Sequence, residues 1–236
     1  MAAVSKGPVA RALSSRWAKP AVFALGLVPL GWMVWLGLSG GLGAEPVAEA
    51  VRQSGLWALR LLLVALAVTP LRILTGQPGL ARFRRMIGLF AFFYALLHVS
   101  VYVGVDQFFD WAAVWKDIVK RPYITVGMGA LLILTALAAT STNGMVRRLG
   151  GRRWKALHKA VFVAGAAGCV HYVMLVKGWQ YPPFVYAAIF LGLVGLRHAK
   201  GPAVPGREPR RHEGHKDFHK GLLLKGSPSS GADTSL

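Results

Sequence analysis

Six stretches of the chain are rich in apolar residues, nearly free of charge, and about 17 to 20 residues long. At 1.5 Å per residue, a helix of this length covers the roughly 30 Å of hydrocarbon in a bilayer. The pattern therefore predicts an all-α membrane protein, built as a bundle of six transmembrane helices. The predicted spans are 21–39, 55–74, 87–105, 122–140, 157–176 and 182–198.

The amino-acid composition excludes a disordered polycation, a soluble domain and a cysteine-rich protein. The chain has 236 residues, of which 54% are hydrophobic and 16% charged, yet its formal net charge is +19. A disordered polycation has low hydrophobicity, and a soluble domain carries roughly 25% charged residues, so neither class fits. The single cysteine, Cys169, excludes a disulfide framework and any four-cysteine zinc or iron-sulfur site.

The basic residues are divided unequally between the two sides of the predicted bundle. Of 28 Lys and Arg residues, 22 fall on the side that holds both chain ends, whereas the opposite loops carry five basic and five acidic residues. By the positive-inside rule, both termini are predicted to be cytoplasmic. The basic excess then marks topology and contact with the lipid bilayer, and no nucleic acid partner is expected. The predicted parts are a basic cytoplasmic N-terminus (1–20), a transmembrane domain (21–198) and a disordered basic cytoplasmic tail (199–236).

Ionisable side chains inside predicted spans are few, and such residues are costly in a membrane. His98 lies about 18 Å into the third span from the cytoplasmic side, and His171 about 21 Å into the fifth. Two imidazoles at one depth on two helices are what a haem with two histidine ligands needs. Hydrogen bonding between helices is the other interpretation of each histidine. The remaining residues of this group are Arg60, His158 and His198.

The surroundings of the two histidines favour haem. Helical spacing predicts an apolar, aromatic environment that suits a porphyrin in a bundle core. No Asp or Glu lies inside a predicted span, which disfavours a proton pump or an ion-coupled transporter. The aromatic residues are Phe90, Phe93, Tyr94, Tyr102 and Tyr172.

His158 and Arg60 are further candidates for cofactor binding. His158 is predicted at the cytoplasmic entrance, about 20 Å and a 220° rotation from His171 on a regular helix. It is a candidate ligand of a second haem, or an interfacial histidine that binds a propionate or a lipid headgroup. Arg60, predicted about five residues inside the outer edge, either extends to the interface or binds a haem propionate.

Five stretches of the chain are distinctive in their sequence: GGLGAEPV (40–47), TPLR (69–72), RRMIGLFAFFYALLHVSVYV (84–103), KRPYITVG (120–127) and LAATSTNGMVRRLGGRRWKALHKAVFVAGAAGCVHY (137–172). Together they resemble the MsrQ family, the haem-binding membrane subunits of the periplasmic methionine sulfoxide reductase system. This family is a branch of the ferric-reductase-like transmembrane superfamily.

The resemblance implies a b-type cytochrome in the bacterial inner membrane that passes electrons outward. The acceptor would be a periplasmic molybdopterin reductase of the MsrP type, which repairs oxidised methionine in envelope proteins. The donor would be the quinone pool or a cytosolic flavin reductase, and the family is also described as binding FMN. By motif, the family's histidines fall on His98, His158 and His171, with one haem b expected and a second left open.

Two other functions stay open. The first is a stand-alone ferric reductase or a quinol-linked membrane cytochrome. The second is a haem-free transporter or assembly factor, in which the histidines only pack. No nucleotide-binding fingerprint follows a strand, so the chain is expected to be an electron-transfer subunit of an oxidoreductase system rather than its catalytic subunit. The outer loops 40–54 and 106–121, with Trp111 and Trp115, are the expected docking surface.

Overall fold

The computed structural model describes residues 7–176 and 180–198, and every regular element in these two ranges is helical. The helices are α1 Pro8–Ser14, α2 Ala18–Leu38, α3 Pro46–Thr75, α4 Arg84–Val101, α5 Trp111–Lys120, α6 Pro122–Ala139, α7 Asn143–Leu157, α8 Val161–Leu175 and α9 Tyr181–His198. Short 3₁₀ segments lie at Pro78–Arg82 and His158–Ala160, and a π-helical turn at Tyr102–Asp106. The first six residues and the predicted tail 199–236 lie outside the described residues.

In the described ranges, five segments are long and apolar enough to cross a membrane. The sixth predicted span corresponds to α9, where the apolar stretch Tyr181–Arg197 is shorter than the other five. Large apolar side chains such as Trp32 and Trp35 on α2 face outward, as expected where lipid rather than water surrounds a helix. The chain is therefore an all-helical, multi-pass membrane protein. The five segments are Ala18–Leu38, Pro46–Thr75, Pro78–Asp106, Pro122–Ala139 and Asn143–Leu175.

The longest helix, α3, has 30 residues and packs against α4, α8 and α9. Ala91 of α4 and Ala164 of α8 are completely buried, and side chains this small allow helix backbones to approach closely in a membrane. They share one apolar cluster with Leu62 of α3 and Leu134 of α6. A second cluster joins α3, α8 and α9 through Leu59, Leu63, Leu66, Cys169 and Phe190.

The start of α3 differs from the sequence prediction. The helix begins at Pro46, nine residues before the predicted start of the second span at 55. Proline is favoured in the first helical turn. The negative charge of Glu49 in that turn interacts favourably with the positive end of the helix dipole. Arg60 therefore lies about 21 Å along the helix from its first residue, and its depth of about five residues inside the outer membrane edge stays a prediction.

The fifth predicted span, 157–176, is also irregular. The basic helix α7 precedes it and is interrupted at Gly150, whose φ of 73° and ψ of 149° are not helical. His158 then begins the 3₁₀ segment, and α8 starts only at Val161. The regular helix assumed between His158 and His171, and the rotation calculated from it, are therefore wrong.

Tyr94 of α4 is bound to α2 near Pro29. Its buried hydroxyl accepts a hydrogen bond from the Leu30 N–H at 2.9 Å and donates one to the Gly26 carbonyl at 2.9 Å. A phenol thus occupies a position in the hydrogen-bond ladder of α2, beside Pro29, which has no N–H of its own to donate. Phe90 packs against the same Gly26, so these two of the aromatic residues predicted near His98 pack against α2.

Candidate metal centre

His98 of α4 and His171 of α8 face each other near the beginnings of α3 and α6. Their ring centroids are 6.3 Å apart, and their planes are inclined at 82°. With metal–nitrogen bonds of about 2.0 Å and about 1.2 Å from nitrogen to ring centre, two imidazoles on opposite sides of one metal ion have centroids about 6.4 Å apart. The observed spacing therefore fits a metal ion held between the two rings.

Each of the two rings is anchored through Nδ1 to a backbone carbonyl of a neighbouring helix. Nδ1 of His98 lies 2.7 Å from the Val51 carbonyl oxygen of α3. Nδ1 of His171 lies 2.6 Å from the Tyr123 carbonyl oxygen of α6. Because a carbonyl oxygen only accepts, Nδ1 is assigned as the donor in both rings. Neutral imidazoles of this tautomer leave the lone pair of Nε2 for a metal ion.

His158 lies apart from this pair, next to α7 and the end of α6. Its ring stacks on Trp154 with 3.9 Å between centroids, and its Nδ1 lies 3.1 Å from the Trp154 carbonyl oxygen. Its Nε2 lies 3.4 Å from the Ser141 hydroxyl. In residues 7–176 and 180–198 there is no group of three or more His, Cys, Asp or Glu side chains arranged for a metal. The structure does not bring His158 to His98 or His171.

Arg60 contacts aromatic side chains rather than either histidine of the pair. Its Nε donates a 2.7 Å hydrogen bond to the Tyr186 hydroxyl of α9, and its guanidinium lies 4.8 Å from the Trp57 ring centroid. Tyr186 in turn packs edge-on against Tyr172, whose ring centroid is 5.9 Å away. Neither salt bridge of the described residues involves Arg60. Its charge is thus stabilised by ring faces and one hydroxyl.

The carboxylate of Asp117 connects the segments next to the histidine pair. It accepts a 2.9 Å hydrogen bond from Tyr102, one turn after His98, and forms a 3.1 Å salt bridge with Arg121. Arg121 also donates to the Tyr123 hydroxyl at 3.2 Å, and this hydrogen bond is the main cause that raises the pKa of Arg121. The short helix α5 is thereby connected to the π-helical turn that follows α4 and to the residue that precedes α6.

The sequence did not identify the groups that orient the two histidines. Val51 and Tyr123 act through backbone carbonyls, which every residue possesses, so no residue type marks them. Tyr123 does fall inside KRPYITVG (120–127), a stretch noted for its family resemblance. Asp117 could have been noticed as one of three aspartates in the predicted outer loop 106–121.

Comparison with known proteins agrees with this architecture. Residues 54–169 match the family described as "Ferric reductase like transmembrane component", a range that includes His98 and His158 and ends two residues before His171. A ferric-reductase-like transmembrane protein is therefore the class that the fold and the histidine pair define.

Closer relatives give the particular family. The chain is 50% identical over 196 residues to the "Protein-methionine-sulfoxide reductase heme-binding subunit MsrQ" of Rhodospirillum rubrum, covering 83% of the chain and 93% of that relative. It is 50% identical over 173 residues to the protein of that name from Caulobacter vibrioides, covering 73% and 82%. The Brucella anthropi protein is 45% identical over 208 residues, covering 88% and 93%. The chain belongs to the MsrQ family.

Proposed function

We propose that the protein is a b-type cytochrome that serves as the electron-transfer subunit of a protein-methionine-sulfoxide reductase system. The observation that carries this proposal is the pair His98 and His171, spaced for one metal ion and each bound through Nδ1 to a carbonyl. The curated relatives are named as haem-binding subunits, which supports haem as the bound group. His98 and His171 are its proposed axial ligands.

A haem iron with two imidazole ligands supplies one-electron transfer and has no open position for O₂ or a substrate. Residues of the chain fix the tautomer of both imidazoles. The Val51 and Tyr123 carbonyls hold the Nδ1 protons, which keeps Nε2 of each ring as the ligand atom and raises its basicity. The surrounding apolar helices exclude water, which lowers the local dielectric around the pair.

We further propose six spans with both termini in the cytoplasm of a bacterium and the helices in its inner membrane. The charge distribution along the sequence supports this orientation. The starts of α3 and α6, and with them the histidine pair, then lie on the periplasmic side. A site there suits delivery of electrons to a periplasmic molybdopterin reductase of the MsrP type, with the quinone pool or a cytosolic flavin reductase as donor.

Arg60 and His158 have separate proposed roles. Arg60 carries a charge within α3 and has no carboxylate partner in the described residues, so it is the proposed partner of a haem propionate. His158 is a proposed ligand of a second, inner haem. Its Nδ1 lies near the Trp154 carbonyl and its Nε2 near the Ser141 hydroxyl. A second haem and an FMN site stay predictions from the family resemblance.

The test is a reduced-minus-oxidised absorbance spectrum of the purified protein and of the His98→Ala and His171→Ala variants. We expect a b-type spectrum in the wild-type protein and loss of its main absorbance in either variant. Helicity and elution volume in detergent check that each variant is folded. Full haem content in both variants would contradict the ligand assignment, and a wild-type protein without haem would favour the transporter or assembly factor.

The ferric-reductase match favours one second candidate, a stand-alone ferric reductase or quinol-linked cytochrome. The chemically reduced protein can be mixed with a ferric chelate or with the purified molybdopterin reductase and a sulfoxide. Reoxidation by the reductase and not by the chelate is expected. Rapid reoxidation by the chelate alone would support the second candidate instead.

A further inference from the structure

Gly55 of α3 makes room for the His98 ring beside the carbonyl that holds it. A Cβ atom built on Gly55 would lie 3.0 Å from both Nδ1 and Cε1 of His98. Contacts of 3.0 Å are tighter than ordinary van der Waals contacts, so even an alanine here would press on the ring. The acceptor of the Nδ1 proton, the Val51 carbonyl, lies four residues before Gly55 on the same helix.

The same arrangement recurs on α6 around His171. A Cβ atom built on Gly127 would lie 2.8 Å from Nδ1 and 3.0 Å from Cε1 of His171. The acceptor here is the Tyr123 carbonyl, again four residues before the glycine. Two helices thus present the same combination of a carbonyl at position i and a glycine at position i+4.

Helix geometry explains why the fourth residue is a glycine. In an α-helix the carbonyl of residue i accepts the N–H of residue i+4, and the Cα–Cβ bond at i+4 tilts back toward that carbonyl. A side chain at i+4 therefore covers the oxygen from the side. Without a Cβ, the second lone pair of the oxygen stays open to a donor from another helix.

We propose that Gly55 and Gly127 are positioning residues for the two axial ligands, because each exposes the carbonyl that fixes its histidine's tautomer and ring plane. This inference rests on the proposed function, since it concerns ligands of the proposed haem. A ring displaced by a methyl group at position 127 loses its 2.6 Å hydrogen bond, and its Nε2 becomes a poorer electron donor. The ferric form is then less favoured, so the midpoint potential rises.

The plane of each ring gives a second, independent signal. Perpendicular axial imidazoles leave the two iron orbitals that bond to them nearly equal in energy, which gives a ferric low-spin EPR spectrum with one unusually large g value. The planes of His98 and His171 are inclined at 82°, so the wild-type protein should give such a spectrum. A ring turned by a new methyl group lowers that g value.

The experiment compares Gly127→Ala and Gly55→Ala by redox titration and low-temperature EPR of the purified, haem-loaded protein. We expect both variants to raise the midpoint potential and lower the largest g value. Gly127→Ala should have the larger effect, because its added Cβ would lie at 2.8 Å rather than 3.0 Å from the ring.

Two glycines provide matched controls. Gly129 of α6 has no atom within 4 Å of an added Cβ, so Gly129→Ala tests an alanine in the same helix without contact. Gly165 of α8 would meet the Phe190 ring at 2.7 Å, so Gly165→Ala tests crowding away from the ligands. Gly129→Ala should leave both signals unchanged, and Gly165→Ala should lower thermal stability while leaving the largest g value unchanged.

If Gly55→Ala and Gly127→Ala bind haem with the wild-type midpoint potential and EPR spectrum, the positioning role of the two glycines is overturned. The proposed function is not affected by that result. Equal shifts in Gly129→Ala or Gly165→Ala would overturn the positioning role as well, since the effect would then be general. Where Gly127→Ala does not fold, Gly55→Ala decides by the same criteria. A wild-type protein without haem would overturn the proposed function and this inference together.

Discussion

His98 and His171 differ from His158 in what holds their rings. Each ring of the pair is bound by a carbonyl of another helix, 47 or 48 residues away in sequence. His158 is bound by Trp154, four residues before it, and lies against Ser141. The rings of the pair are therefore held by contacts between helices. The ring of His158 is held largely by a residue one helical turn before it.

The difference bears on ligand chemistry. A metal-bound histidine usually donates its second ring N–H to an outer partner and keeps the other nitrogen for the metal. Within the part of the chain that the structure describes, the only hydrogen-bond partner of each ring of the pair is the carbonyl at Nδ1. Both nitrogens of His158 have protein contacts within the described residues. The contacts of His158 give less support to a ligand role than those of His98 and His171.

The most direct test of this difference is to remove one histidine of the pair and, separately, His158. We expect His171→Ala to lose most of the b-type absorbance per mole of protein, because no other described side chain replaces that ligand. His158→Ala should keep the absorbance of the pair. The measurement is the haem-to-protein ratio from pyridine haemochrome spectra of both variants. Equal losses in the two variants would mean that His158 is as important to the main haem as His171.

A smaller effect is expected from cutting the link between α5 and the pair. Asp117→Ala removes the acceptor of Tyr102 and the partner of Arg121. A hydrogen bond to a charged group contributes about 1.5 to 3 kcal/mol, so thermal stability should fall and haem should transfer faster to apomyoglobin.

Glu49→Ala is the matched control for Asp117→Ala. Glu49 pairs with Arg52 three residues later and lies near the start of α3. Both partners belong to the same helix, and such local pairs contribute about 0.3 to 0.5 kcal/mol. Haem transfer in Glu49→Ala should stay close to the wild-type rate. If both variants release haem at the same rate, the link through Asp117 has no special importance for the pair.

The sequence supports the helical membrane class and the pairing of His98 with His171 by depth. Both depend on regular features, since span length and rise per residue are fixed by the bilayer and the helix. The start of α3 at Pro46 was missed because Glu49 and Arg52 interrupt the apolar run, although both are compatible with helix. Hydropathy records where a helix meets lipid and not where it begins.

The positions of the remaining groups follow from packing. Gly55 and Gly127 are ordinary glycines in the sequence, which contains 28, and only the approach of the rings gives these two a specific role. The 3₁₀ segment at His158 follows a basic helix without proline, so no local signal predicts it. Tyr94 was predicted near the haem from helical spacing, and its hydrogen bonds join it instead to residues of α2 that are 64 and 68 residues earlier in the sequence.

The smallest predicted effect concerns Ser141, at the His158 end. Its hydroxyl donates to the Leu137 carbonyl at 2.7 Å and lies 3.4 Å from Nε2 of His158. Polar contacts between helices in membranes contribute about 0.6 kcal/mol on average, so Ser141→Ala should lower the thermal midpoint only slightly. Ser141 follows the end of α6, about 24 Å along that helix from the Tyr123 carbonyl that holds His171, so the EPR spectrum and midpoint potential of the pair should not change. A shift in either quantity as large as that caused by Gly55→Ala would show that the two ends are coupled and that the contrast between them is wrong.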